Sequence, residues 1–458
     1  MIDVRDRLRR VALPDEVIGD PLDAIARAPG EPAFYWRNDA AGIEIAALGA
    51  IRVVETCGPR RFADASRALA ALRKELGNAA GDWPLLVGGF AFGDGEAAPR
   101  WSDFPPLRFF VPRALWIRQG EVRRLVITYP AGHEQTPASL LAGTDGDWSQ
   151  MEDVQDGEAT PATAAAASGS TRPGDVARAT RSTGISATDA KWFARVAEAQ
   201  RSIRSGRLDK AVLARRRTLT AAAPPLVEPI LTALAEKRPE CFTFLVRWRG
   251  RCFLGSSPER LARVDGRRLD TDALAGSAPR GQSKAHDDAG ARELLANDKE
   301  RREHRIVVDA ITEALGPVTS DIELAPEPSV MRLPESLHLH TPIHATLSRP
   351  VSLLEAARRL HPTPAVCGAP RAAAKKLLEA EAADRGWYSG AVGWIGANGD
   401  GELAVSLRAA LLEGRRAHVW AGAGIVEGSD PEREFDETES KMRSMLPYFE
   451  ADDDECAA

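Results

Sequence analysis

Acidic and basic side chains recur at helical spacing near the end of the chain. In the segment DPEREFDETESKM, Glu434, Glu437 and Lys441 stand at positions i, i+3 and i+7, so in a helix all three point in roughly the same direction. Carboxylates aligned in this way could hold Mg²⁺, which takes oxygen ligands. Taken alone, the pattern is more typical of a solvated helix face with pairs of opposite charges.

The residues just before this helix could receive an anionic ligand. Ser429 stands three residues before Glu432, which is the spacing of a capping box, and Pro431 suits the first turn of a helix. Gly422 and Gly424 would let a ligand approach the backbone closely. Backbone N–H groups near the positive end of the helix could then bind a carboxylate.

A second charged helix is predicted in NDKERREHRIVVD, which carries Glu300, Glu303 and His304. Carboxylates from this helix and from the last helix would together suit Mg²⁺, which usually keeps some water and a substrate oxygen as well. A single E-x-x-E motif on a charged helix is weak evidence, and the spacing alone does not establish a metal site.

Two further side chains could transfer protons. Lys210 begins the apolar strand AVLAR, where desolvation or neighbouring cations could lower its pKa and make it a base, although it could equally be a solvent-facing lysine. Glu259 follows a strand end and a Ser-Ser-Pro turn in GSSPERL, a position from which acids reach into clefts. Many surface glutamates have the same sequence context.

Three histidines alternate in LHLHTPIHA, so His338, His340 and His344 share one face of a strand. The pattern could suggest zinc, but we favour one ligand contact and two ordinary strand residues. The five cysteines are odd in number and form no CxxC pair, so neither a disulfide framework nor a zinc site is indicated.

The composition describes an ordinary globular protein. The chain has 458 residues, of which 44% are hydrophobic and 28% charged, with a net charge of -6. Without a basic arm or stripe, nucleic acid is an unexpected partner. The N-terminal residues lack the apolar core of a signal peptide, and no run of 18 apolar residues could span a membrane. We therefore expect a cytoplasmic protein without a membrane partner.

The elements that must position these side chains fall into two blocks. Residues 1–145 alternate strand-like runs with one clear helix, and residues 188–450 contain hairpin-forming strands and separate helical blocks. Between them, residues 146–187 are rich in Ala, Thr, Gly and Ser, which predicts a linker or long surface loop, and residues 451–458 form an acidic tail. Hairpins with separate helical blocks favour α+β over a doubly wound parallel sheet.

Read together, the motifs resemble the chorismate-utilising enzymes, which include isochorismate, salicylate, anthranilate and aminodeoxychorismate synthases. The matching stretches occur in family order and cover residues 188–450 nearly continuously. They are LDKAVLARR, FLGSSPERL, TDALAGSAPRG, NDKERREHRIV, LHLHTPI, LHPTPAVCGAP, RGWYSGAVGWIGANGDGELAVSLR and AGAGIVEGSDPEREFDETESKM. Eight ordered motifs make a chance match negligible. The segment VGGFAFGDG, followed by WSDFP, looks like the N-terminal part of isochorismate synthases.

The resemblance implies roles for particular residues. Lys210 matches the base that activates water for attack on C2 of the ring, and Glu259 matches the acid that protonates the departing C4 hydroxyl. Glu303 and Glu437 match Mg²⁺ ligands, with Glu434 nearby. The residues that match substrate-binding positions are Ala275, Gly276, Ser277, His338, Arg408, Gly422, Gly424 and Lys441.

Two positions distinguish the subfamilies. Family members that use ammonia generally lack the lysine found at Lys210, and aminodeoxychorismate synthases have a lysine where Ala275 stands here. The resemblance therefore implies an isomerase that makes isochorismate, for menaquinone or siderophore biosynthesis. Salicylate synthase, which goes on to eliminate pyruvate, is the nearest alternative. An anthranilate synthase-type component and a binding-only homologue are further alternatives.

The family also implies a fold and a set of partners. We expect an α+β body with two antiparallel sheets packed face to face, helices outside, and the pocket between the sheets. Residues 1–145 should complete this body. The implied cofactor is Mg²⁺, the substrate is chorismate, and a monomer without an obligate glutaminase subunit is expected. Two positions depart from the usual pattern, because Asp272 stands where many relatives have glutamate and His340 where an apolar residue is usual.

Overall fold

A computed structural model describes residues 8–13, 20–77, 83–130 and 187–449. The predicted linker 146–187 lies outside these ranges except for its last residue, and so does the acidic tail 451–458. Within the described residues, no helix combines the length and the apolar character needed to cross a bilayer.

Strands dominate the described part of the chain. They are β1 (Leu8–Leu13), β2 (Ala33–Asn38), β3 (Ile43–Thr56), β4 (Pro84–Phe90), β5 (Leu107–Gln119), β6 (Val122–Pro130), β7 (Lys210–Thr220), β8 (Phe242–Trp248), β9 (Arg251–Ser257), β10 (Arg260–Asp265), β11 (Arg268–Pro279), β12 (Thr319–Leu324), β13 (Ser329–Arg332), β14 (Ser336–Leu347), β15 (Gly368–Ala369), β16 (Ala391–Gly396), β17 (Gly401–Val405), β18 (Ala409–Glu413) and β19 (Arg416–Ile425). 

The α-helices of the described residues lie between these strands and at the end of the chain. They are α1 (Pro21–Arg27), α2 (Arg61–Leu76), α3 (Ala187–Arg204), α4 (Val227–Lys237), α5 (Lys284–Ala296), α6 (Asp298–Leu315), α7 (Leu353–Leu360), α8 (Arg371–Leu377), α9 (Glu379–Arg385) and α10 (Pro431–Met442).

Within the described residues, neighbouring strands pair in the antiparallel direction. The strands form one sheet that branches at β5, which pairs with three other strands. One edge of β5 pairs with β3, from which a first arm continues through β2, β8, β9, β18, β19, β7 and β15. The other edge pairs with β6 and with β4, from which a second arm continues through β16, β17, β10, β11 and β14. The predicted antiparallel α+β class is confirmed.

Short glycine turns produce the hairpins of both arms. Arg249 and Gly250 both have positive φ, 48° and 77°, which suits the tight turn between β8 and β9. Gly266, at φ 58°, makes the corresponding turn between β10 and β11. The hairpins predicted within residues 188–450 are therefore confirmed.

A buried aromatic cluster contains residues from both arms. Trp36 on β2 and Phe244 on β8 belong to the first arm, whereas Val87 on β4 and Val392 on β16 belong to the second, and all four are inaccessible to solvent. Fully burying side chains of this size stabilises a fold by about 2–3 kcal/mol each. Strands of residues 20–130 also pair directly with later strands, β2 with β8 and β4 with β16.

Candidate active site

One cavity of about 720 Å³, part of which is open to solvent, collects most of the residues singled out from the sequence. Strands β7, β11, β14 and β19 and helices α6 and α10 contribute to its wall. The predicted site residues that line it are Glu259, Ala275, Gly276, Ser277, Glu303, His338, Arg408, Gly422, Gly424, Glu437 and Lys441. Lys210 and Glu434 do not line the cavity directly, but Lys210 contacts Glu303, which does.

Lys210 reaches the cavity through Glu303. The lysine is the first residue of β7 and is fully buried, and its Nζ lies 2.9 Å from Oε1 of Glu303 on α6. Gly424 of β19 makes room for this pair, because a Cβ at that position would lie 2.1 Å from the same carboxylate oxygen and 3.2 Å from Cε of Lys210. Glycine at 424 is therefore needed for the carboxylate to approach the β7–β19 ladder.

The other acidic side chains of the site are also paired with lysines. Glu437 Oε1 lies 2.5 Å from Lys441 Nζ, one turn further along α10. Glu434 Oε1 lies 2.8 Å from the Nζ of Lys299, and that ammonium group is 3.1 Å from Glu300 Oε1 on α6. Helices α6 and α10 and the start of β7 thus bring four carboxylates and three lysines into one region.

Mutual repulsion and burial shift the acidity of these carboxylates. Burial and the charge of Glu437 raise the pKa of Glu434 to about 7. Burial also favours the neutral form of Glu437, but the ammonium group of Lys441 outweighs it and lowers the pKa of Glu437 to about 2.

Among the described residues, no three acidic, histidine or cysteine side chains converge closely enough to form a ready metal cage. The donor atoms are all carboxylate oxygens, which is the chemistry that Mg²⁺ prefers.

Glu259 is a buried carboxyl group in the wall of the cavity. It lies between β9 and β10, is 2% exposed, and its Oε1 has no hydrogen-bond partner. Burial and the charge of Asp272 raise the pKa of Glu259 to about 8, while Lys210 and Lys441 act in the opposite direction. At neutral pH the carboxyl group is therefore protonated.

Arg408 and His338 form a polar corner of the cavity. Arg408 adopts φ 47°, and its Nη2 lies 3.2 Å from Nε2 of His338 and 3.3 Å from Oγ of Ser336. Burial and the neighbouring guanidinium group lower the pKa of His338 to about 3, so the imidazole is neutral. A fixed cation beside a neutral imidazole is suited to holding a carboxylate.

Backbone groups complete the wall. Lys441 Nζ donates to the carbonyl oxygen of Gly422 at 2.9 Å, which fixes the end of α10 against β19. Gly276 adopts φ 78° within a bulge of β11, and the following N–H of Ser277 donates to Glu300 Oε2 at 2.9 Å. Ala275 presents only a methyl group at this point in the wall.

The remaining two strand histidines bind separate aspartates instead of sharing a ligand. His340 Nε2 lies 2.9 Å from Asp272 Oδ1, and His344 Nδ1 lies 2.7 Å from Asp270 Oδ1. Of these three histidines, His338 is the one that lines the cavity.

The predicted cap of the last helix is wrong by one residue. Asp430 caps α10 by accepting hydrogen bonds from the N–H groups of Glu432 and Arg433, at 2.9 Å and 3.0 Å. Ser429 instead accepts from the N–H of Val426 at 3.1 Å, because its side chain faces back toward β19. An aspartate at this position satisfies two N–H groups at once and so competes effectively with a serine.

Sequence reasoning missed several residues of the wall. Arg385 is buried, lines the cavity, and donates to the carbonyl oxygens of Val212 and Val366 at 2.5 Å and 2.7 Å. Tyr388 also lines it. Both belong to the matched stretch RGWYSG, so the motif was found but not the roles of its side chains. Lys299 was missed in the same way within NDKERREH.

The fold and the site define a class of protein. A family model described as chorismate binding enzyme matches residues 10–450, and the chain belongs to that family. The predicted family resemblance is thereby confirmed.

Within the family, the chain is similar to isochorismate synthases. It is 33% identical to isochorismate synthase MenF of Bacillus subtilis, over 79% of this chain and 74% of that protein. It is 32% identical to the salicylate biosynthesis isochorismate synthase of Pseudomonas aeruginosa, over 92% of this chain and 85% of that protein. The solved structure of MenF, the menaquinone-specific isochorismate synthase of Escherichia coli, covers 97% of this chain and 95% of its own, with a TM-score of 0.73 and 28% identity.

Proposed function

We propose that this chain is an isochorismate synthase, an isomerase that converts chorismate to isochorismate by adding water at C2 and expelling the C4 hydroxyl group. One observation carries the proposal: the buried lysine Lys210 and the buried, protonated carboxyl group of Glu259 belong to the same site. Relatives named as isochorismate synthases, matched over most of their own length, support it.

Glu259 acts as the general acid in this reaction. Hydroxide is a poor leaving group, so the C4 hydroxyl must be protonated as it departs. A carboxyl group that stays protonated at neutral pH in a desolvated site can supply that proton. The free Oε1 of Glu259 and its raised pKa, about 8, support this role.

Lys210 acts as the general base that accepts a proton from the attacking water. In the structure its Nζ lies 2.9 Å from Oε1 of Glu303. A base must be neutral when it accepts a proton. A cation bound to Glu303 would take this carboxylate away from its ion pair with Lys210.

Glu303, Glu434 and Glu437 are the groups that we propose as Mg²⁺ ligands. Their carboxylate oxygens suit a hard cation, and the repulsion that raises the pKa of Glu434 would be relieved by one. When bound, Mg²⁺ would supply a positive charge for the ring carboxylate of the substrate. Lysines now neutralise these carboxylates, so cation binding must replace at least some of the lysine contacts.

Arg408 and Lys441 hold the substrate's carboxylates, with backbone N–H groups near Gly422 and Gly424 beside them. The neutral imidazole of His338 can accept or donate one hydrogen bond next to the ring. Ala275, Gly276 and Ser277 form the wall beside the attacking water, where the methyl group of Ala275 leaves room for it. These assignments rest on the positions of the side chains around the cavity.

The proposal extends to the packing of the sheet, the oligomeric state, the location in the cell and the pathway. The two arms of the sheet pack face to face around the site, which the aromatic cluster drawn from both arms supports. Residues 1–145 complete the body that carries residues 188–450, as the β2–β8 and β4–β16 ladders support. We also propose a cytoplasmic monomer without a glutaminase subunit. The names of the relatives support a role in menaquinone or siderophore biosynthesis.

The test is product analysis. The full chain is incubated with chorismate and Mg²⁺, with and without EDTA or ammonium, and the products are separated. Isochorismate in a Mg²⁺-dependent equilibrium with chorismate is the expected result. Salicylate with pyruvate would instead place the chain with the salicylate synthases, and anthranilate with the ammonia-using enzymes. No product under any condition would leave only ligand binding.

A further inference from the structure

A charged cluster includes Arg260, the residue that follows Glu259 in the chain. Its centre is Asp272 of β11, two residues before Leu274, which lines the cavity. Alternate residues of a strand share a face, so Asp272 lies on the same face as Leu274, one step further from the ligand space. His340 of β14 is the register partner of Leu274 and so stands in the adjacent row.

The members of this cluster, Asp272, His340, Arg260 and Glu402, hold one another in place. His340 Nε2 lies 2.9 Å from Asp272 Oδ1, and Arg260 Nη1 lies 3.4 Å from Asp272 Oδ2. Arg260 also donates from Nε to Glu402 Oε1 at 2.8 Å. The two carboxylates and the one guanidinium group of the cluster carry a net charge of about -1, and Arg260 is joined to Glu259 in the chain.

The charge around Glu259 is balanced between two sides. Asp272 favours the protonated carboxyl, in addition to burial, whereas Lys210 of β7 and Lys441 of α10 favour the ionised form. The imidazole of His338 on β14 also faces the cavity and is neutral. Two cations near a general acid would promote loss of the proton that it must donate, unless a fixed negative charge opposes them.

We propose that Asp272, anchored by Arg260 and His340, is a positioning residue whose fixed negative charge keeps Glu259 in its proton-donating form. The inference rests on the proposed function, because it gives Glu259 the role of general acid. Asp272 itself touches no substrate in this account. Its effect is exerted through the Glu259 carboxyl, so it should appear in the pH dependence of turnover and not in substrate binding.

The test is the pH profile of kcat for D272N, with KM for chorismate measured at each pH. Asparagine keeps the shape and one of the two acceptor oxygens of Asp272 but removes the charge. Activity should be lost at high pH as Glu259 ionises. This fall of kcat at high pH is the alkaline limb of the profile. In D272N the alkaline limb should move to lower pH by roughly one unit, with KM unchanged. D272E, which restores the charge, should return the limb toward its original position.

Asp270 supplies a matched control on the same strand. It pairs with His344 at 2.7 Å and with Arg268 at 2.9 Å, an arrangement like that of Asp272, but it lies one step further from Glu259. D270N should therefore leave the alkaline limb in place. A second variant, H340K, puts a permanent positive charge beside Asp272 and should shift the limb in the same direction as D272N.

The outcomes separate this inference from the function on which it rests. If D272N and H340K lower kcat equally at all pH values and leave the limb unmoved, Asp272 is structural and the inference is overturned. An equal shift in D270N would also overturn it, because the effect would then be a general one of surface charge. If E259Q turns over like the original protein, the acid assignment itself is wrong, whatever D272N does.

Discussion

Replacing Glu259 by glutamine should make the protein more stable while abolishing its turnover. Glutamine has nearly the same shape but cannot ionise, and Oε1 of Glu259 has no hydrogen-bond partner to lose. The carboxyl group has a pKa of about 8 in the folded protein, against 4.5 for an ordinary glutamate. Between these values the folded chain keeps a proton that the unfolded chain releases, so the glutamate lowers stability progressively as pH rises.

The magnitude follows from the size of the shift. Each pKa unit corresponds to about 1.4 kcal/mol, so the full shift gives an upper limit of about 5 kcal/mol above pH 8. Between about pH 6.5 and about pH 9, the stability advantage of E259Q over the original protein should grow by about 2 kcal/mol. At about pH 4.5, where the glutamate of the unfolded chain is half protonated, the advantage should fall to about 0.4 kcal/mol.

Urea unfolding followed by tryptophan fluorescence in the presence of EDTA measures this advantage. E236Q provides the control, since Glu236 is an exposed residue of α4 and its variant should track the original protein at each pH. A difference between E259Q and the original protein that stays constant across the pH range would refute the reasoning, because Glu259 would then not be held protonated by the fold.

Three other substitutions test the site. K210A should reduce kcat by about 10²–10⁴-fold while chorismate binding, measured by calorimetry, is largely kept; undiminished turnover would exclude Lys210 as the base. E437Q should weaken the Mg²⁺ dependence of activity and of thermal stability, and an unchanged Mg²⁺ titration would argue against this ligand. G424A places a Cβ 2.1 Å from Glu303 Oε1, so it should displace that carboxylate and reduce turnover with the fold intact by circular dichroism. The control G30A meets no atom within 4 Å and should behave like the original protein.

Local signals in the sequence predicted the hairpins and the helices α2, α6 and α10. Glycine at a turn, as at Gly250 and Gly266, dictates positive φ whatever the rest of the fold does. The cap of α10 was predicted one residue early, because Ser429 and Asp430 are both good caps and the choice depends on contacts with β19. The branching at β5 could not be predicted from the sequences of the strands. It arises because β4 and β6 pair with different parts of the same edge of β5, and the sequence of β5 does not specify these partners.

The candidate site was predictable in its residue types but not in its pairings. Lys210, Glu259 and Glu303 occupy positions in motifs that can be recognised from the sequence. That Lys299 should pair with Glu434 depends on how α6 packs against α10, and residues 135 apart in sequence give no local sign of it. Oε1 of Glu259 has no hydrogen-bond partner because no donor lies near it, and the positions of the donors are defined only in the packed structure.

The division of the sheet at β5 has a consequence for how the chain folds during synthesis. Strand β2 finds its partner β8 only after about 200 further residues have been made, and β4 waits still longer for β16. Until then a nascent chain exposes strand edges that could pair with other chains. Pairings so distant in sequence are slow to form. We therefore expect slow refolding, sensitivity to aggregation at high concentration, and a need for chaperones when the protein is made rapidly.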